Sequence, residues 1–100
     1  MGWASFHIEK LKLGQTVKFR PHGNSMVPRV QSGDLCTVSP IGDIPVKEDD
    51  IVLCTVGGRQ LLHLVTAVKG ERYQISNNHG HVNGYVGYSQ IHGRLVAIDP

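Results

Sequence analysis

His22-Gly23-Asn24-Ser25-Met26-Val27-Pro28-Arg29-Val30-Gln31-Ser32-Gly33-Asp34-Leu35 is the stretch around which the rest of the chain is organised. It sets a Ser-Met pair after a glycine-containing turn, a proline two residues past the methionine, and Gly-Asp before an apolar segment. Gly23 has no Cβ and tolerates backbone angles that other residues resist, so the chain can turn sharply ahead of Ser25. Pro28 fixes its own φ and biases Val27 toward an extended conformation. A serine on a short, stiff, polar corner between apolar segments is a presented hydroxyl.

Outward from this corner the sequence reads as β structure. On its N-terminal side Thr16-Val17-Lys18-Phe19-Arg20 alternates and Pro21 closes it. On its C-terminal side Val30–Gly33 fits a single turn, and Leu35-Cys36-Thr37-Val38-Ser39 is a strand ended by Pro40 and Gly42. Asp50 to Val56 contains a continuous apolar run, long enough for a buried strand and short for a helix. Gly57-Gly58 predicts a two-residue hairpin into a returning strand, Arg59 to Val68. A strand at Arg72–Ser76 and a last one at Ile91–Ile98 follow, and Asn77–Tyr88 reads as a loop rich in Gly, Asn and His. Pro40–Pro45 reads as the one flexible excursion. Six short strands predict a mainly β fold, a small antiparallel barrel or coiled sheet. Residues 1–15 form an N-terminal helix or arm: Trp3, Phe6, His7, Lys10 and Leu11 fall near a helical period, and Gly14 ends it. The apolar side of this helix is expected against the edge of the sheet, and residues 16–100 form a single domain.

Composition narrows the function. With 40% hydrophobic and 18% charged residues in a chain of 100, the protein belongs with ordinary globular domains able to bury a modest core. A formal charge of +2, with basic residues scattered, is too thin an electrostatic footprint for nucleic acid. No segment approaches the ~20 apolar residues of a membrane span. Charged residues follow Trp3 and Phe6 at once, so no signal-peptide core is read and a cytoplasmic location is expected. Cys36 and Cys54 lie in apolar stretches, match no metal-ligand spacing and are read as buried free thiols.

A serine on a turn becomes a nucleophile only with a base in hydrogen-bond reach. His63 is the candidate: a lone polar residue in Leu61-Leu62-His63-Leu64-Val65 that by alternation shares a face with Leu61 and Val65. An imidazole on an apolar face finds a partner or stays neutral, and a general base has to be neutral. A core histidine with a structural hydrogen bond is the competing reading.

The corner, Gly-x-Ser-Met-x-Pro followed by Gly-Asp and an apolar strand, resembles the catalytic-serine box of the clan of LexA repressors and type I signal peptidases. Further along, Asp50-Ile51-Val52 resembles the clan's Gly-Asp-Ile-Val strand. Leu62-His63-Leu64-Val65 falls where the base-bearing strand is expected, and Gly93-Arg94-Leu95-Val96 resembles its closing Gly-x-Val strand. The likeness covers Val17 to Ile98. It implies the clan's coiled β fold and a serine endopeptidase in which Ser25 is the nucleophile and His63 the base, as in the histidine-type signal peptidases rather than the lysine-type bacterial enzymes. It also implies an oxyanion site that includes the Ser25 backbone N–H, a groove of Gly23, Asn24, Met26 and Pro28, with Met26 beneath the serine and Pro28 at the rim, and no cofactor. Glycine at position 23 matches the repressor branch, where signal peptidases often carry a hydroxyl. Asp34 reads as a turn residue.

The chain departs from that clan where an acidic residue orients the imidazole: between Gly70 and Ile98 the only acid is Glu71, in a turn. Orienting the ring, or lining the groove, falls to Asn77, Asn78 or Asn83, because an amide fixes the tautomer without adding charge. The sequence shows neither the membrane anchor of a signal peptidase nor the DNA-binding domain and cleavable linker of a repressor, so a protein or peptide substrate is expected to arrive in trans. His79 and His81 point the same way if the loop is extended, but no Cys, Asp or Glu nearby completes a metal site, and no metal is expected. The alternative to an enzyme is an inactive binding module of the same fold, a phage or mobile-element accessory protein engaging a protein or small ligand through the groove.

Overall fold

The computed structural model describes residues 2–23 and 25–100. Asn24, assigned above to the groove, lies outside the described residues. The chain folds as helix α1 (Ser5–Lys12) followed by seven strands: β1 (Val17–Phe19), β2 (Leu35–Ser39), β3 (Ile51–Val56), β4 (Arg59–Lys69), β5 (Arg72–Ser76), β6 (Val82–Gly87) and β7 (Ile91–Asp99). All pairings are antiparallel, in the spatial order β1-β2-β7-β3-β4-β5-β6. The expected strands stand within a residue or two of their predicted ends. The exception is β6, which occupies half of the stretch read as loop. Six strands are therefore seven.

The continuous apolar run at β3 is explained by apolar layers on both faces of the sheet. Ile51 and Leu53 join Leu62, Leu64, Cys36 and Val38 in one layer, closed over by Ala4, Ile8 and Leu11 of the N-terminal segment and by Met26 and Val30 of the serine corner. Val52, Cys54 and Val56 turn to the other layer, with Val65, Ile75, Val86 and Ile91. Each apolar side chain withdrawn from water contributes about 1.5–3 kcal/mol before entropy is subtracted. The second layer is enclosed because the sheet coils, bringing β6 back toward β3. A Cβ on Gly84 would stand 2.9 Å from Val56 Cγ1. The pairing does not close β1 onto β6, so the architecture is a coiled sheet rather than a closed barrel.

Helix α1 reaches beyond the edge strand. It packs on β1 and on the interior strand β7, where a Cβ at Gly93 would come within 3.1 Å of Leu11 Cδ1. An edge placement would have left Ile8 and Leu11 half wet; on the face both are buried. The segment Pro40–Pro45 is likewise tied down rather than free. Ile41 is buried, and Arg94 donates to the carbonyls of Ile44 and Pro45, both at 2.9 Å, while Arg94 Nε meets Asp50 Oδ2 at 3.2 Å. Both cysteines are free and buried, and burial pushes the Cys54 thiol up to about 12. Among the described residues no helix is long and apolar enough to cross a membrane.

Candidate active site

Ser25 opens a tight turn in which the Val30 N–H donates to the Met26 carbonyl at 2.9 Å and the Val27–Pro28 peptide bond is cis. Met26 and Val30 sink into the core and anchor the turn. Gly23 adopts φ +108°, the freedom its lack of a Cβ provides. Behind the corner Gly33 N–H donates to the Pro21 carbonyl at 3.0 Å, and Arg20 Nη1 donates to the Gly33 carbonyl at 2.6 Å. Asp34 accepts from the Gln31 N–H at 2.9 Å, the turn role expected of it.

The returning strand of the Gly57-Gly58 hairpin brings His63 opposite Val52. Its neighbours at alternate positions, Leu61 and Val65, belong to the same layer as Val52, as the alternation predicted. His63 is buried, and its Nε2 lies 3.1 Å from Ser25 Oγ. On the other side of the ring, Nδ1 lies 2.6 Å from Asn83 Oδ1. An amide oxygen only accepts, so Nδ1 carries the proton and Nε2 offers its lone pair to the serine hydroxyl. Ser25 Oγ donates, His63 Nε2 accepts, and Asn83 holds the tautomer that makes this possible.

Strand β6 delivers Asn83 through a bulge. Val82 pairs with Ser76 and Gly84 with Ile75, leaving Asn83 as the extra residue. A bulge re-aims a side chain that regular alternation would send elsewhere. The other two candidate amides do different work. Asn78 clamps the serine turn: its N–H donates to the Ser25 carbonyl at 2.8 Å and its Nδ2 to the Val27 carbonyl at 2.9 Å. Asn77 closes its own loop, its Oδ1 accepting from the N–H groups of His79 and His81 at 2.8 and 3.0 Å. Neither orients the imidazole. Among the described residues no group of three or more His, Cys, Asp or Glu side chains is arranged to hold a metal.

Burial lowers the His63 pKa below its ordinary 6.5; the Asn83 hydrogen bond works against this, and the charges of Arg59 and His81 add to the lowering. His92, whose Nε2 lies 2.8 Å from Thr55 Oγ1, is lowered in the same way, first by burial and then by Lys12. The sign follows from proton uptake. The unfolded chain takes up protons on these rings as pH falls through 6.5, before the folded chain does, so stability declines on acidification from there. Thermal midpoints are expected to be level with respect to these rings above about pH 7. They should fall between 6.5 and the lowered folded values. In His63→Gln the decline should be shallower. A midpoint that rose on acidification through this window would contradict the burial of the rings.

A cavity of about 390 Å³ opens beside the pair, bounded by Ser25 and His63 themselves. Met26, Val30, Leu61 and Leu62 make its apolar side, and Arg20 and His22 stand on the corner side. Gly23 and Met26 line it as expected, whereas Pro28 faces solvent outside it and does not shape its rim. Trp3 and Gln60 also line it. Reading Trp3 as the start of an amphipathic helix hid this, because the tryptophan precedes α1 and its place depends on a strand far along the chain. Chemically the arrangement offers a hydroxyl hydrogen-bonded to an imidazole, an amide that fixes the ring's tautomer, and an adjoining recess. No protein-family model matches this chain, and no curated protein does.

Proposed function

We propose that the protein is a serine endopeptidase of the type found in the LexA and signal peptidase clan, with Ser25 as nucleophile, His63 as general base and Asn83 as the residue that positions the base. The observation that carries this reading is the continuous relay from Ser25 Oγ to His63 Nε2 at 3.1 Å and from His63 Nδ1 to Asn83 Oδ1 at 2.6 Å. Distances of ~2.6–3.2 Å are those at which a base takes a hydroxyl proton. In the reaction the Ser25 hydroxyl attacks the scissile carbonyl carbon as its proton passes to His63. The imidazolium then gives that proton to the departing amine, and water attacks the acyl-enzyme with the same base assisting. An amide in the third position serves in the Cys-His-Asn arrangement of other peptidases. The backbone N–H of Ser25 is assigned to the oxyanion.

A peptide substrate in extended form is supported by the pairing of β4. Arg59 to Leu64 pair with β3, but pairing with β5 begins only at Leu64. Among the described residues no strand pairs with the far side of Gln60–His63, the stretch beside Ser25. The Gln60 carbonyl receives the Trp3 indole N–H at 2.8 Å. Two residues on, Leu62 turns its backbone groups to the side that Gln60 does, and a substrate strand adds there. On this reading the enzyme is cytoplasmic and acts on a protein or peptide that reaches it in trans.

Covalent labelling of Ser25 tests it. A fluorophosphonate probe is expected to label the wild-type protein at Ser25, located by peptide mass spectrometry, and to spare Ser25→Ala. The buried Cys54 thiol does not compete, since its pKa near 12 keeps it protonated. Equal labelling of the two proteins would leave the alternative of a binding module that shares the fold.

A further inference from the structure

The N-terminal segment is fastened to β4 by one residue, through its side chain and its backbone carbonyl. Gln60 Oε1 accepts from the Ala4 N–H at 2.6 Å, Gln60 Nε2 donates to Ser5 Oγ at 2.9 Å, and the Gln60 carbonyl accepts from Trp3 Nε1 at 2.8 Å. The fit is close: a Cβ on Gly2 would run into Gln60 Oε1. Ala4 is fully buried in the core, and the Trp3 ring stands edge-on to Phe19 with centroids 5.3 Å apart. Such a latch holds the indole in one orientation. Yet Trp3 is 53% exposed, so its contacts with the rest of the chain bury less than half of it. The remaining face lines the cavity beside Ser25.

We propose that Trp3, latched by Gln60, is the specificity-determining wall of this cavity and that the cavity takes a bulky apolar side chain next to the scissile carbonyl. The inference rests on the peptidase reading given above. Its support is the chemistry of the lining. Trp3, Met26, Val30, Leu61 and Leu62 supply apolar surface, and Ser25 and His63 share the same space, so the side chain that enters belongs to the residue being attacked. Among the described residues the lining carries the Arg20 guanidinium and no carboxylate, so a lysine or arginine side chain would enter unpaired. Trp3 also stands at the end of the unpaired β4 edge, because its indole occupies the Gln60 carbonyl that an added strand would otherwise use.

The test uses the full chain and four peptidyl phosphonate diphenyl esters, which phosphonylate serine with loss of phenol and differ only in the side chain beside phosphorus: alanine, leucine, lysine or glutamate. Wild-type protein should react with the leucine probe at least about tenfold faster than with the alanine probe, the discrimination a hydrophobic pocket gives for added methylenes. The lysine probe should be slowest. In Trp3→Ala the leucine-to-alanine ratio should fall to within about twofold of unity, and Trp3→Phe should restore most of it. Phe6→Ala, an exposed residue of α1 outside the cavity, should leave the ratio as in wild type. The plain fluorophosphonate separates the two readings. If it labels Ser25 but the ratio is unchanged in Trp3→Ala, or both probes slow equally, Trp3 is structural only and the proposal fails. A glutamate preference would replace the apolar pocket with an Arg20-directed one. If neither reagent labels Ser25, the peptidase reading itself falls.

Discussion

Replacing His63 with alanine is expected to slow acylation of Ser25 about 10³-fold, inside the 10²–10⁴ range of a positioned general base. The reason is geometric. With Nε2 gone from its place 3.1 Å from Ser25 Oγ, the hydroxyl has no acceptor for its proton in the buried site. Thermal unfolding of the variant, followed alongside, separates loss of the base from loss of the fold. Position 83 gives the sharper test. Asn83→Ala frees the ring to rotate and to change tautomer and should cost about 10²-fold, comparable to other losses of a partner that positions a catalytic or metal-binding group. Asn83→Asp puts a carboxylate where the amide oxygen now lies 2.6 Å from Nδ1. A carboxylate favours the imidazolium, so the acid limb of the rate profile should move to higher pH. In the wild type burial holds His63 below 6.5, so its limb lies on the acid side of that value. An acid limb that stays put in Asn83→Asp would mean that the amide does not hold the ring during the reaction.

The largest effect on stability is expected at Gly93. A methyl there would sit 2.7 Å from Val38 Cγ1, 2.8 Å from the Ser39 carbonyl oxygen and 3.1 Å from Leu11 Cδ1, so three elements would have to move at once. Gly93→Ala is expected to cost about 3 kcal/mol, the upper end for overpacking. That corresponds to a fall of roughly 15 °C in the thermal midpoint of a domain this size. Val38→Ala in the same chain should recover part of the loss, since it removes the nearest clash but not the carbonyl. A calorimetric double-mutant cycle measures the coupling. A cost below about 1 kcal/mol would show that β7 has more room than its packing against β2 and α1 allows.

The residues that could be read in advance are those whose role is local. Apolar alternation in Leu35–Ser39 and Arg72–Ser76 gave both strands their observed ends. The pair Gly57-Gly58 gave the hairpin, and the hairpin gave His63 its face. Strand β6 was hidden because Val82-Asn83-Gly84-Tyr85-Val86-Gly87 carries glycines and an asparagine, and only Val86 among them is buried. Its glycine at position 84 is needed for close approach to Val56, not for a turn. For the same reason three asparagines looked equivalent on paper. Which one meets the imidazole is set by a single extra residue in a register that exists only after β5 and β6 have paired. Trp3 and Gln60 escaped because their meeting joins residues 57 positions apart.

The bulge that aims Asn83 sits in β6, one of the two edge strands of the sheet, paired with β5 alone. Segments with few buried apolar side chains open locally before the core does, and in β6 Val86 alone is buried. The imidazole would then lose its guide while the layer around Leu53, Cys36 and Val38, on the other face of the sheet, stayed shut. Reactivity of the serine should consequently fade at a lower temperature than the cooperative melt, a gap that an outer-strand staple between β5 and β6 would close.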